Sequence, residues 1–284
     1  MQSILITGGR GTLGRELAQA CRERKLAHEV TSREDLDVCD ADAIARTLDR
    51  IQPWLVINAT GYVRVDDAEA DPERCHRDNA LAPELLARAC ARCRIGLVTF
   101  STDLVFDGSK AAPYDERDQP MPLGVYGATK HDGEQRVVAA LPEALVIRTS
   151  AFFGPSDGHN FVTTALRELA AGRELRAASD VVVSPTYVPD LVHACLDLAI
   201  DGERGLWHLA NRGAATWAEL VLAAAAEAGL PTDRIIAVPG ATLGWRAVRP
   251  AFSALASVRG ELLPSLADAV RRNHQAVNRR ARDG

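Results

Sequence analysis

Three features of the sequence predict an α/β fold, a doubly wound parallel sheet with a smaller C-terminal lobe. Short apolar runs alternate with longer helical runs through residues 1–150. The first apolar run ends in a cluster of four glycines, Gly8-Gly9-Arg10-Gly11-Thr12-Leu13-Gly14. Beyond Thr149 the alternation gives way to mixed segments punctuated by Pro155, Pro185, Pro189, Pro231, Pro239, Pro250 and Pro264. Strands that alternate with helices pair in parallel and carry the helices on both faces of the sheet.

Each element follows from local pattern. Residues 4–7 are short and apolar, a buried strand, and 14–25 form a helix with Leu17, Ala20, Cys21 and Arg24 near helical spacing. Residues 29–32 are a second strand. Residues 41–51 are a helix with Ala43, Ile44, Thr47, Leu48 and Ile51 on one face. A strand at 55–58, a helix at 83–93, a strand at 96–101, a helix at 126–141 and a strand at 144–148 complete the series. In the second half, 191–200 and 217–229 read as helices and 206–210 as a strand.

Composition narrows the class of protein. The 284 residues are 47% hydrophobic and 25% charged, ordinary for a folded chain with a sizeable core, and they exclude a disordered, collagen-like or disulfide-stapled chain. A net charge of −5 argues against general nucleic-acid binding. No apolar run reaches the ~18 residues of a membrane span, and Met1-Gln2-Ser3 and the strand that follows lack a signal-peptide pattern. The expectation is a cytoplasmic protein with no membrane and no nucleic-acid partner. Of the six cysteines only Cys90 and Cys93 have CxxC spacing, and they read as two small packing residues. The five arginines of 271–284 read as a solvated, fraying helix end. Only Lys25, Lys110 and Lys130 are lysines; the other 30 of the 33 basic residues are arginine.

The glycine turn carries the first functional expectation. Gly8, Gly11 and Gly14 fit G-x-x-G-x-x-G, and Gly9, Gly11 and Gly14 fit G-x-G-x-x-G. Glycine permits the tight turn, lets the backbone approach a phosphate and lets the helix sit close to the sheet. The free amides at the helix start then face a pyrophosphate. A glycine trio alone is a weak signal, and its alternative is a plain turn; strand before and helix after supply the context of a Rossmann dinucleotide site. Residues 1–150 are therefore the expected dinucleotide-binding domain. Residues 151–284 are mainly a substrate-binding lobe, with some segments returning to the sheet. After the second strand stands Arg33, which favours a 2′-phosphate and so NADPH over NADH; its alternative is a surface charge, with Glu34 beside it.

Tyr126 and Lys130 share a helical face at i and i+4. An ammonium beside a phenol lowers its pKa and makes it a usable acid at neutral pH. Upstream, Ser101-Thr102-Asp103 ends a strand at the edge that faces the ligand crevice, where Thr102 can bond a substrate carbonyl. Its alternative is a bare Ser-Thr-Asp turn.

With these residues in place the chain resembles the dTDP-4-dehydrorhamnose reductase family of the extended short-chain dehydrogenase/reductase superfamily. The likeness spans almost the whole chain. It adds Asn58-Ala59-Thr60-Gly61, Val65-Asp66-Asp67-Ala68-Glu69, Arg148-Thr149-Ser150, Ser184-Pro185-Thr186, Gly205-Leu206-Trp207-His208-Leu209 and Arg249-Pro250 with Ser253. The resemblance implies an NAD(P)H-dependent 4-keto-reductase of a nucleotide-activated deoxysugar. Gly8, Gly11, Thr12, Leu13 and Gly14 would lie along the pyrophosphate, Asp37 and Val38 beside the adenine, and Ala59, Thr60 and Gly61 along the cofactor cleft. Thr102, Tyr126 and Lys130 would be the catalytic set, with Lys130 on the ribose. Thr102, Asp103, Ala151, Asn160 and Arg249 would meet the substrate. A homodimer is the expected assembly.

Two departures bear on specificity. Ala151 stands where the family commonly has a tryptophan, and Leu104 where it usually has a tyrosine. Some relatives bind magnesium through glutamates; Glu16 matches one position and Asp190 only approximates another, so no metal is expected. The rival readings are an epimerase of the same superfamily and a non-catalytic subunit resembling the regulatory subunit of methionine adenosyltransferase. A 4,6-dehydratase would want a glutamate where Leu104 stands.

Overall fold

The structure is a computed structural model that describes residues 3–283, with side chains to residue 280. Met1, Gln2 and Gly284, which enter the reading of the two termini, lie outside the described residues.

The chain runs β1 (Ile4–Thr7), α1 (Thr12–Glu23), β2 (His28–Thr31), α2 (Ala41–Ile51) and β3 (Leu55–Asn58). Two short helices follow, α3 (Val65–Ala68) and α4 (Pro72–His76). A π-helical stretch (Arg77–Leu81) then leads into α5 (Ala82–Cys93) and β4 (Gly96–Thr102). After a single 3₁₀ turn (Asp103–Val105) come α6 (Val125–Ala140), β5 (Leu145–Thr149) and β6 (Phe152–Phe153). The second half adds α7 (Phe161–Ala170), β7 (Leu175–Ala178), β8 (Val182–Val183), β9 (Thr186–Tyr187) and α8 (Val188–Ile200). It ends with β10 (Gly205–His208), β11 (Ala215–Thr216), α9 (Trp217–Glu227), β12 (Ile235–Val238) and α10 (Leu266–Asp283).

The main sheet has six strands in the order β10-β5-β4-β3-β1-β2, every pair parallel. Alternate residues of its strands feed two cores. Ile4, Ile6, Leu55, Ile57, Leu145 and Ile147 face α1 and α8, where Leu17, Cys21, Leu191 and Cys195 are fully buried. Leu5, Val56, Leu97 and Val146 face α2, α5 and α6, against Ile44, Leu86, Cys90 and Val137. Strands this short and apolar on both faces suit a sheet covered twice. Chain order reverses between β1 and β3, so the crevice at their carboxyl ends is the switch point of the sheet. Strand β10 comes from the second half of the sequence and lies beside β5.

Several boundaries move for local reasons. Helix α1 begins two residues early, because Gly11 is its N-cap, and stops before Lys25, which turns left-handed at φ 58°. Helix α5 starts one residue early with Pro83 in its first turn, where a missing N–H costs nothing. The cysteine pair splits: Cys90 is buried and its thiol is pushed up to about 12 by burial, whereas Cys93 is exposed at the helix end. Only one of the two is a packing residue. Nor is the arginine-rich tail only solvated. Arg272 of α10 donates twice to Asp190 of α8 at 2.6 Å and once to Asp268. Among the described residues no helix is long and apolar enough to cross a membrane.

Candidate active site

The glycine turn is shaped by backbone approach. Gly8 takes φ 79°, and a Cβ there would stand 2.6 Å from the Ala59 carbonyl oxygen. Gly11 N–H donates to Gly8 O at 2.9 Å and closes the turn. Gly14 lies beneath: its Cβ would fall 2.3 Å from Gly8 O and 2.9 Å from Gly9 Cα. Those are backbone atoms of the same turn, so nothing can swing aside. Gly14→Ala is expected to cost several kcal/mol, or about 10 °C or more in Tm, measured by thermal unfolding.

Above the turn a cavity of about 860 Å³ runs along the carboxyl edge of the sheet. Gly8, Gly11, Thr12, Leu13, Arg33, Asp37, Val38, Ala59, Thr60, Gly61, Tyr126 and Lys130 all line it; Gly14 does not. Glu34, next to Arg33, is engaged by Arg10 through two hydrogen bonds of 2.5 and 2.6 Å. Asp35 accepts from the Ser32 amide and hydroxyl. Both acids beside Arg33 are thus occupied, and the guanidinium of Arg33 has no ion-pair partner among the described residues. A cradle closed to any Cβ, free amides at a helix start and an uncommitted arginine at the far end fit a dinucleotide. Asp157, from the loop before α7, accepts from the Thr12 hydroxyl at 2.9 Å at one side of this cavity.

A second cavity, about 540 Å³, lies between the sheet edge and the lobe. Thr102, Asp103, Ala151 and Arg249 line it. Asn160 does not. Its side chain caps α7 by accepting from the Thr163 amide and donates to Gly154 O and Asp157 O, so the substrate expectation for it is corrected to a structural one. Tyr126, Ser101, Thr149, Val63 and Phe152 line both cavities, so the two spaces meet at the phenol.

The charges at this junction differ from the simple expectation. Burial, and then the neighbouring Asp103, push the Tyr126 phenol above its ordinary value, and the Thr102 hydroxyl beside it only partly opposes them. Lys130 is turned away from the phenol: its Nζ donates to the Phe100 carbonyl of β4 at 2.5 Å. Burial pushes Lys130 itself down to about 8. Asp103 is 4% exposed and meets no cation among the described residues; it accepts from Thr102 at 3.1 Å, Ser150 at 2.8 Å and Ser253 at 2.6 Å. Burial still raises its pKa against those three hydroxyls. Turning the Thr102 hydroxyl toward a substrate carbonyl would give up its bond to Asp103.

Ser150 and Ser253 are site residues that pattern alone leaves without a role; only their place beside Arg148-Thr149 and Arg249-Pro250 marks them. Trp217 and Trp245 were also missed. Both line the second cavity and pack on one apolar cluster with Ala151, which sits at φ 38°. Arg249 is held by Asp66 at 2.8 Å and stacks 5.3 Å over the Trp245 ring. Burial pulls the Asp66 carboxyl up, but the amides of Ala247 and Arg246 and the Arg249 guanidinium outweigh it and hold it below the usual range.

A phosphate-fitting turn at the switch point and a tyrosine–lysine helix between two cavities define a class: an NAD(P)-dependent oxidoreductase of the Rossmann type. Comparison with known proteins agrees. The chain belongs to the RmlD substrate binding domain family, whose model matches residues 1–275. A dTDP-4-dehydrorhamnose reductase of Mycolicibacterium smegmatis is 39% identical over 262 residues, 91% of this chain and 79% of its own. A probable dTDP-4,6-dihydroxy-2-methyloxan-3-one 4-ketoreductase of Streptomyces antibioticus is 37% identical, over 88% of this chain and 85% of its own. The crystal structure of dTDP-4-dehydrorhamnose reductase from Bacillus anthracis in complex with NADP superposes with a TM-score of 0.91 at 29% identity, covering 96% of this chain and 98% of that one.

Proposed function

We propose that this protein reduces the C4 ketone of a nucleotide-activated 4-keto-6-deoxysugar, with NADPH as the preferred cofactor. The observation that carries the reading is the meeting of the two cavities at the Tyr126 hydroxyl. The hydride would come from a dinucleotide bound along the first cavity. Gly8, Gly11, Thr12 and Leu13 offer backbone to its pyrophosphate, with Gly14 holding the helix close beneath them. Asp37 and Val38 border the adenine, Ala59, Thr60 and Gly61 line the cleft, and Arg33 meets the 2′-phosphate. Lys130 holds the ribose.

In the second cavity Tyr126 protonates the oxygen that gains charge at C4. Its raised pKa keeps the proton in place at neutral pH until an alkoxide, a far stronger base, needs it. Thr102, whose own proton goes to Asp103, lies beside the phenol and orients it. Thr102 and Asp103 also border the sugar. Arg249, fixed by Asp66, and Arg176 supply positive charge to the diphosphate. Residues 1–150 hold the cofactor in this scheme, and 151–284 mainly the substrate. A homodimer in the cytoplasm completes the proposal, with the assembly checked by light scattering.

The direct test follows NADPH oxidation at 340 nm, a wavelength set by the cofactor, with a nucleotide-4-keto-6-deoxyhexose as acceptor. Turnover supports the reading; binding of both ligands with no oxidation of NADPH or NADH overturns it. Ala151 sharpens the substrate question. A methyl group in place of a large ring leaves room at the sugar, and Trp217 and Trp245 wall the space from the lobe side. The expected result is a tolerant enzyme, with kcat/KM for 2-hydroxy and 2-deoxy 4-ketosugars within about tenfold of each other. A strong preference for dTDP-4-keto-rhamnose over the rest of a nucleotide-sugar panel would show that Ala151 does not widen the site.

A further inference from the structure

Tyr126, Lys130 and Glu134 are spaced by four on α6 and run along one face of the helix, from the junction of the cavities into the core. Glu134 is 7% exposed and Arg148 of β5 3%. Arg148 grips the carboxylate with both arms, Nε to Oε1 at 2.8 Å and Nη2 to Oε2 at 2.6 Å. The arginine is fixed in turn. Its guanidinium lies 5.2 Å over the Phe106 ring, and Nη1 donates to His208 Nε2 at 3.4 Å. His208 Nδ1 faces the carbonyl oxygens of Tyr114 and Ala256, so its proton sits there and Nε2 accepts. In register with Arg148 stands Ser101, the residue after Phe100, whose carbonyl receives Lys130. A buried ion pair commonly stabilises no better than apolar residues of the same size, so its presence one turn behind a catalytic lysine calls for a use.

We propose that Glu134, clamped by Arg148, is a positioning residue for Lys130: it fixes a negative charge one helical turn behind the ammonium and keeps it a cation in a site that strips it of water. The inference rests on Lys130 being the cofactor-facing lysine. Burial pushes Lys130 down to about 8, and Glu134 opposes that fall. Burial would raise Glu134, but the hydrogen bonds from Arg148 and His131 outweigh it and hold the carboxyl down at about 2, so it is charged throughout the neutral range. The other groups around Lys130 are Tyr126 on its own helix, Cys75 of α4, Asp78 of the π-helical stretch across the cofactor cavity, and Asp103 beyond the phenol. Strand β4 presents the Phe100 carbonyl and the hydroxyls of Ser101 and Thr102. Burial keeps the Cys75 thiol and the Tyr126 phenol neutral, and Glu134 is the strongest of the groups that hold Lys130 up against burial, ahead of Cys75.

The three-lysine composition makes the test direct. Labelling with ε-¹³C-lysine gives one signal each for Lys25, Lys110 and Lys130, assigned by Lys25→Arg and Lys110→Arg. In the full-length protein without cofactor, the Lys130 signal should titrate near 8. In Glu134→Gln/Arg148→Met, which removes both members of the buried ion pair together, the midpoint should fall by about half a pH unit or more. Glu134→Asp, which keeps the charge but withdraws it by one methylene, should move it the same way by less. An unchanged Lys130 midpoint in either variant overturns the proposal and makes the ion pair purely structural. NADPH affinity separates the two readings. If Lys130→Met binds NADPH as wild type does at every pH, the cofactor role of Lys130 fails, whatever the titration shows.

Discussion

Replacing Tyr126 by phenylalanine lowers kcat by about 10²- to 10⁴-fold, the usual range for loss of a positioned acid, while NADPH affinity stays near that of wild type. The two halves of this expectation have different sources. The ring of Tyr126 is a wall shared by both cavities, and phenylalanine keeps the wall. Only the hydroxyl is lost, and with it the proton that the proposed mechanism gives to the C4 oxygen. The Thr102 proton is turned to Asp103, and Lys130 stands one helical turn on with its Nζ at the Phe100 carbonyl, so neither group is placed to substitute. Single-turnover measurement of NADPH oxidation gives the first half, and NADPH fluorescence titration the second. Wild-type rates in Tyr126→Phe would remove the phenol from the reaction.

The second large effect separates one lysine from the other two. Lys130→Arg should cut turnover about 100-fold or more, since a misplacement of an ångström at a reacting centre already costs that much. The ammonium reaches a carbonyl 2.5 Å away, and a Cβ on Gly61 would stand 4.0 Å from it. A planar guanidinium is wider and donates in a fixed fork, so it cannot take the place of a compact ammonium there. Lys25 is exposed, and Lys110 forms a half-exposed pair with Asp118 at 2.5 Å; arginine serves both positions. Steady-state kinetics on the three variants should therefore show one crippled enzyme and two ordinary ones. Equal activity in all three would mean that the scarcity of lysine carries no information about the site.

The sheet and its helices were legible in the sequence because the strands are apolar on both faces and punctuated by glycine and proline. Residues 4–7, 41–51 and 55–58 appear with the expected limits. The short helices at 65–68 and 72–76 and the π-helical stretch were not, because four or five residues are too few to show a period. That Tyr126 and Lys130 share a face was legible because both lie on one helix. What sequence could not give is the direction of a charge. The expected lowering of Tyr126 by Lys130 rests on spacing alone, and spacing does not show that the ammonium points at Phe100 or that Asp103 is buried without a cation. Asn160 misled for a similar reason: asparagine before an apolar run is also a helix cap, and the cap prevails here. The rings at Trp217 and Trp245 reach the cavity through folds of the lobe that no local pattern records.

The position of β10 also governs how the two parts can move. The chain leaves the sheet through β5 for the lobe and returns through β10, which is hydrogen-bonded to β5 along Leu145 to Arg148. Exit and re-entry are therefore neighbouring threads of one fabric. A lobe tied by a single linker can swing as a door does; one sewn along a double seam can only flex about it. The second cavity lies on the site side of that seam, so admitting and releasing a ligand there calls for a shallow bend that leaves the sheet whole.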